Sequence, residues 1–275
     1  MSNTKLIETG SSTNNYYQSI NQTYKKLFHK LLMLHYPFYQ KQHESLEERQ
    51  VNLTKHCVDR LGDIKDKEIL EVGCGNGTQS IYIHENFKPA KTIGIDINTN
   101  NIELANDING AHHNLEFIVD DAQQLKQIPD NSVDALLCIE SAFHYPDKDS
   151  FMKQIHRVLK PTGKFIIADI LSVSYKNRYF MERWKRKMSY YHWTKDHYIE
   201  NFKKNKLSVQ HSENITEAIK NGYNGYGSWV KRKDFNTIFS FFWFKLFIFV
   251  QVKINILLLK KRRKYYIFVG KPLSK

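Results

Sequence analysis

The chain has 275 residues, 41% of them hydrophobic, which is enough for one elaborated domain with a core of its own. Three cysteines without a pairing pattern and the polar start MSNTKLIETGSSTNN argue against a secreted disulfide framework and predict a reducing, cytoplasmic compartment. The net charge of +13 is unevenly spread: residues 1–170 hold 18 Lys and Arg against 22 Asp and Glu, whereas residues 171–275 hold 23 against 6. A basic final third is either a set of solvated faces or a surface for an anionic partner, a membrane or a nucleic acid.

The first 45 residues carry an aromatic and His-containing stretch, NNYYQSINQTYKKLFHKLLMLHYPFYQ. SLEERQVNLTKHCVDRL then reads as an amphipathic helix leading into a sheet. Apolar runs follow at 69–72, 92–95, 115–119, 133–139 and 165–170, separated by helical patterns such as SIYIHENF and FMKQIHRVLK, with Gly163 expected to stop the last of these. Strands alternating with helices predict a doubly wound, mostly parallel sheet whose ligands bind outside the carboxyl ends of the strands. Residues 175–235 are basic and aromatic and read as a helical insertion, while LSVQHS and KYYIFVG read as two final strands. Between these lies FFWFKLFIFVQVKINILLL, in which Lys245 and Lys253 interrupt any charge-free span of the ~18–20 residues needed to cross a bilayer. Its polar positions 245, 251, 253 and 255 are all odd, a strand-like alternation. With the basic run KKRRK behind it, 241–264 is a candidate peripheral contact with an anionic membrane, and equally a buried element beside a solvated turn.

The chemistry sits at the run ends. EVGCGNG places glycines at 73, 75 and 77 directly after a strand, where the absence of Cβ lets backbone approach a ligand. The spacing is not the G-x-G-x-x-G of a dinucleotide site, and Glu71, two residues before the first glycine, repels a pyrophosphate but suits an ammonium group. Asp96 closes the second run, where a carboxylate can accept from both hydroxyls of a ribose. Asp120 and Asp121 close the third, where a carboxylate can accept from an adenine amine; each acid alone is as well read as a turn or helix cap. Together, in this order, they imply an adenosine with an amino-acid tail and no phosphates. The fourth run ends in CIESAFHYPD, a cluster of carboxylate, hydroxyl, imidazole and phenol.

The succession ILEVGCGNGTQ, TIGIDIN and VDDAQQLKQIPDNSVDALLCIESAFHYPDKDSFMKQIHRVLKPTGKFIIAD resembles the class I S-adenosylmethionine-dependent methyltransferases over roughly residues 45–170. The likeness is strongest to the branch acting on small molecules such as sterols, tocopherols, quinone precursors and polyketides. This resemblance implies a seven-stranded Rossmann-like sheet with an antiparallel last strand, a lid over residues 1–45, a cofactor-binding core over 46–171, and a substrate lid with the final strands over 172–275. It implies S-adenosyl-L-methionine as cofactor, with Glu71, Gly73 and Gly75 at the methionine end and Asn76 and Gly77 closing the loop. Asp96 and Ile97 would hold the ribose, Asp121 and Ala122 the adenine, and Ile139 would lie beside the methionine tail. Tyr16, Tyr17 and Tyr24 match aromatics that fold over the cofactor in relatives. This chain departs from the relatives at His35-Tyr36-Pro37-Phe38, where they have glycine and tyrosine in place of Pro37 and Phe38, and Pro37 fixes φ and removes a donor.

Methyl transfer from a sulfonium asks the protein to align acceptor and methyl, and to remove a proton where the acceptor needs it. His144 is the first candidate base, by its near-neutral ordinary pKa, and Glu140 the second. Ile139 and Glu140 are expected to face the cofactor, and His144 and Tyr145 the acceptor. The fourth run lacks the Pro-Pro-aromatic motif of base-amine methyltransferases, and the basic third holds no recognisable RNA module, so an RNA methyltransferase is the alternative reading and a small hydrophobic acceptor the leading one. A non-catalytic cofactor-binding protein and an NAD-dependent oxidoreductase complete the alternatives. No metal site and no oligomeric state is legible.

Overall fold

In the computed structural model the described residues are 17–22, 25, 30–110, 112–174, 190–223 and 238–273, the side chains of 238–245, 247 and 248 excepted. Seven strands, β1 Glu68–Val72, β2 Lys91–Asp96, β3 Leu115–Val119, β4 Val133–Ile139, β5 Leu159–Ser172, β6 Leu207–Asn214 and β7 Arg263–Pro272, form one sheet in the order β3-β2-β1-β4-β5-β7-β6. Strands β1 to β5 pair in parallel, and β7 lies antiparallel between β5 and β6, as the resemblance implied. The long helices are α1 Leu46–Leu61, α2 Thr78–Phe87, α3 Thr99–Asn109, α4 Lys148–Val158, α5 Lys195–Lys204 and α6 Ile238–Lys261; residues 216–223 are also helical.

The central strands read as unbroken apolar runs because both of their faces are covered. Ile69, Leu137 and Ile166 turn into one buried layer with Leu53 and Val58 of α1, while their neighbours Leu70, Leu136 and Ile167 turn into the other with Phe151 of α4. Helix α1 begins at a capping box: the Ser45 hydroxyl accepts from Glu48 N at 3.1 Å, and the Glu48 carboxylate accepts from Ser45 N at 2.7 Å.

Two sequence expectations are corrected. Helix α4 ends at Val158, before Gly163, because Leu159 already pairs with Val133 of β4; a register shift within that pairing precedes the match of Lys164 to Ala135. The stretch read as a strand-like alternation is helix α6. Its apolar residues occupy every side of the cylinder, so no single helical stripe stands out in the sequence. Val252, Ile256 and Leu259 face the core, and Asn255 accepts from the Tyr36 hydroxyl at 3.2 Å. No helix among the described residues is long and apolar enough to cross a membrane.

The strap at 32–39 docks against α1 and the 216–223 helix. His35 Nε2 lies 3.1 Å from Thr54 Oγ1, and burial pushes its imidazole down to about 4, so it is neutral. Phe38 enters the core, and the Pro37 carbonyl passes so close to Gly222 that a Cβ there would meet its oxygen at 2.0 Å. The backbone of the strap thus passes against a glycine 185 positions away.

Candidate active site

A cavity of about 420 Å³ opens at the carboxyl ends of β1, β2, β3 and β4. Of the residues singled out from the sequence, Tyr17, Glu71, Gly73, Gly75, Asn76, Asp96, Ile97, Asp121, Ala122, Ile139, Glu140 and His144 line it. Gly77 does not, and Tyr16 and Tyr24 lie outside the described residues.

The glycine loop is built by close approach. Gly73 N and Cys74 N both donate to Ile95 O, at 2.8 and 2.9 Å, which folds the loop onto the end of β2. Gly73 has φ +77°, and a Cβ on it would lie 1.9 Å from Ser141 Oγ, so only glycine lets the loops after β1 and β4 meet. Gly75 N donates to Asp96 Oδ2 at 2.9 Å. Gly77 serves packing instead: a Cβ there would strike Ala105 and Phe117 at 2.6 and 2.8 Å, so its role is to seat α2 against α3 and β3 and not to contact a ligand.

The acids differ in what they leave available. Glu71 accepts from Gln79 Nε2 at 2.8 Å and from Ser80 Oγ, and burial pushes its carboxyl up to about 7. Asp96 accepts from Asn98 N at 2.8 Å as well as from Gly75 N, while burial raises its pKa. Asp120 is a structural acid, its carboxylate held by the backbone N–H groups of Asp121, Lys126 and Gln127 at 2.8 to 3.3 Å. Asp121 accepts from Gln123 N and the Gln123 and Gln124 side chains on the cavity wall.

The turn after β4 sends its polar side chains in different directions. Glu140 adopts the left-handed φ of +52°, which swings its carboxylate to the strap, where Oε1 accepts from Tyr36 N at 2.6 Å. Removal from water pushes that carboxyl up to about 8, against the stabilising pull of Tyr36 N and the neighbouring Tyr265 phenol. Tyr145 turns the other way: its hydroxyl sits 2.5 Å from Ser141 Oγ, close under Gly73. Glu140 therefore bonds to the strap, and Tyr145 lies under the glycine loop. His144 Nε2 lies 2.8 Å from the Tyr17 hydroxyl, amid the rings of Phe143 and Tyr190.

Sequence reasoning named Asn76 but missed its partners Asn21 and Asn101. Asn76 Nδ2 donates to Asn21 Oδ1 at 3.0 Å and to Leu32 O at 2.9 Å, and Asn21 Nδ2 reaches Asn101 Oδ1 at 3.3 Å. This chain of amides ties helical residues 17–22 and the strap to the glycine loop and α3. An asparagine-rich chain offers no signal that would pick these out. Ser141 and Tyr191 on the lining were also unassigned as site residues, although Ser141 stands in CIESAFHYPD.

A family profile described as a methyltransferase domain matches residues 63–234. The chain is 36% identical over 137 residues to the fatty-acid O-methyltransferase of Mycolicibacterium smegmatis, covering 49% of this chain and 46% of that protein. It is 35% identical over 126 residues to the sterol 24-C-methyltransferase of Aspergillus fumigatus, covering 44% and 33%. Geranyl diphosphate C-methyltransferase of Streptomyces coelicolor, solved with S-adenosyl-L-homocysteine, superposes with a TM-score of 0.75 at 12% identity, covering 96% of this chain and 98% of that one, and so shares the fold. The chain belongs to the methyltransferase-domain family, the class I S-adenosylmethionine-dependent methyltransferases. Its match spans about half or less of those two curated relatives.

The described residues fit that cofactor. Besides the neutral Glu140, the lining carries the carboxyl groups of Glu71, Asp96, Asp120 and Asp121 and, among the described residues, no lysine or arginine, an acceptor set that suits a cationic sulfonium with an ammonium tail and disfavours phosphates. Asn98 Nδ2 is buried on this wall without a hydrogen-bond partner, beside Asp96, so the pair offers one donor and one acceptor to a sugar. Ile97, 65% exposed at the lip, and Ala122 supply apolar surface for a flat base.

Proposed function

We propose that the chain moves a methyl group from S-adenosylmethionine to a small, hydrophobic or lipid-like acceptor by in-line displacement. The observation that carries this reading is that the cation-suited wall and the His144–Glu140 turn open into one cavity. When bound, the cofactor supplies an activated methyl group on a cationic sulfur. The chain's residues do the rest. Gly75, Asp96 and Asn98 hold and orient the nucleoside end, and Glu71, already bonded to Gln79 and Ser80, faces the amino-acid end.

On the acceptor side, Tyr17 and His144 form the proton-accepting pair. In the tautomer with Nε2 unprotonated, the imidazole accepts from the Tyr17 hydroxyl, whose oxygen can take a proton from the acceptor as its own moves to His144. Glu140, with its carboxyl up at about 8, is neutral at pH 7 and acts as a hydrogen-bond donor to an acceptor oxygen or nitrogen, not as the base. The fatty-acid and sterol methyltransferases among the relatives support a lipid-like acceptor. Incubating the protein with radiolabelled S-adenosylmethionine and separate lipid, RNA and protein fractions tests the reading. Label in the lipid fraction is expected; label confined to RNA or protein would refute it.

A further inference from the structure

Helix α6 leaves one side bare. Phe249 is 54% and Leu257 53% exposed, and Leu246, Val250 and Ile254 join them as exposed large apolar residues. At 3.6 residues per turn these five, with Lys253, Lys260 and Lys261, fall within an arc of about 140°. The opposite side holds Val252, Asn255 and Leu259, which face the core and the strap. Val173, also exposed, lies beside the helix's carboxyl end, where its N–H bonds Arg262 O at 3.0 Å.

Among the described residues of this stripe the charges are of one sign. Lys253, Lys260, Lys261 and Arg262 are exposed, and none of them forms an ion pair with a described carboxylate. Lys253 Nζ sits 5.4 Å from the centroid of the Phe249 ring, so its stem lies along the apolar side while the ammonium stays at the edge. Glu217, which feels the Lys260 charge, is itself ion-paired with Lys220 at 2.6 Å. A soluble partner protein would be expected to bring carboxylates to single lysines. A continuous apolar ridge rimmed by cations matches the boundary between acyl chains and anionic headgroups.

We propose that α6 is a membrane-docking helix: its outer stripe lies in the surface of an anionic lipid bilayer, with Lys253, Lys260, Lys261 and Arg262 against the headgroups. The proposal deepens the lipid-acceptor reading and rests on it for its purpose. The inner side of the same helix is joined through Asn255 to Tyr36, whose N–H holds Glu140, so docking would bring the acceptor side of the cavity to the lipid.

The test is flotation of the whole chain with vesicles of phosphatidylcholine and phosphatidylglycerol in a three-to-one mixture, and with pure phosphatidylcholine. The wild type is expected to float with the anionic vesicles and to be released by high salt. Phe249→Ser with Leu257→Ser should weaken binding at least about tenfold, and Lys260→Glu with Lys261→Glu by roughly fivefold per charge removed. Circular dichroism and S-adenosylhomocysteine binding should be unchanged in both variants. Equal binding to the two vesicle types, no binding to either, or insensitivity to both variants overturns the proposal. So does a concentration-dependent dimer dissolved by Phe249→Ser, which would make a second copy the occupant. Because flotation needs no turnover, vesicle binding without methylation of lipids would sink the acceptor reading alone.

Discussion

The backbone N–H of Tyr36 donates to Glu140 Oε1 at 2.6 Å, joining the amino-terminal strap to the end of β4 across 104 positions of sequence. Through this bond the strap covers a carboxyl group with a raised pKa on the wall where an acceptor would sit.

That arrangement sets a pH dependence. Glu140 has an ordinary value of 4.5 and a folded value of about 8, so between these the folded chain holds a proton that the unfolded chain has lost. Its contribution to stability is therefore complete below about 4.5 and lost as pH rises toward about 8. Glu140→Gln removes the ionisation. The melting temperature of the variant relative to wild type should rise steadily from about pH 5 to about pH 8, by the equivalent of about 2–4 kcal/mol at most. A pH-independent difference would show that Glu140 is not held neutral.

The pairing of His144 with Tyr17 predicts a division in kinetics. His144→Ala should lower turnover by about 10²–10⁴-fold while leaving S-adenosylhomocysteine affinity intact, because a general base acts on the acceptor's proton. Tyr17→Phe keeps the ring and loses the hydroxyl that takes the acceptor's proton and passes its own to His144, and should lower turnover by a comparable factor, about 10²–10⁴-fold. Equal turnover in His144→Ala and wild type would remove the assignment.

Two glycines two positions apart in the loop should respond differently to alanine. Gly73→Ala forces a Cβ to 1.9 Å from Ser141 Oγ and should cost about 2–4 kcal/mol of stability. Gly75→Ala meets only Leu34 Cδ1 at 3.4 Å, so its cost is the φ of +56°, about 1 kcal/mol. Its main effect should be weaker cofactor binding, since Gly75 lines the cavity. Chemical denaturation and ligand titration of both variants separate the two effects.

The doubly covered strands were legible because burial on both faces leaves continuous apolar runs, and the order of Gly73, Gly75, Asp96 and Asp121 at their ends carried the cofactor reading. The parts that were not legible share one cause: they depend on what lies opposite. Gly77 looks like a loop glycine until Ala105 and Phe117 are seen against it. Glu140 reaches the strap through a positive φ, which no residue type announces. Helix α6 hides its periodicity because one apolar side meets the core and the other is bare.

The central claim is that this cavity takes S-adenosylmethionine through the Asp96 wall. Calorimetric titration of the wild type and of Asp96→Ala with S-adenosylmethionine, and of the wild type with NAD, tests it most directly. Saturable binding of S-adenosylmethionine in the micromolar range, about −7 to −8 kcal/mol, is expected, at least about tenfold weaker in Asp96→Ala as the charged hydrogen-bond acceptor is lost, with none of NAD. Binding of NAD, or S-adenosylmethionine binding indifferent to Asp96, would contradict it.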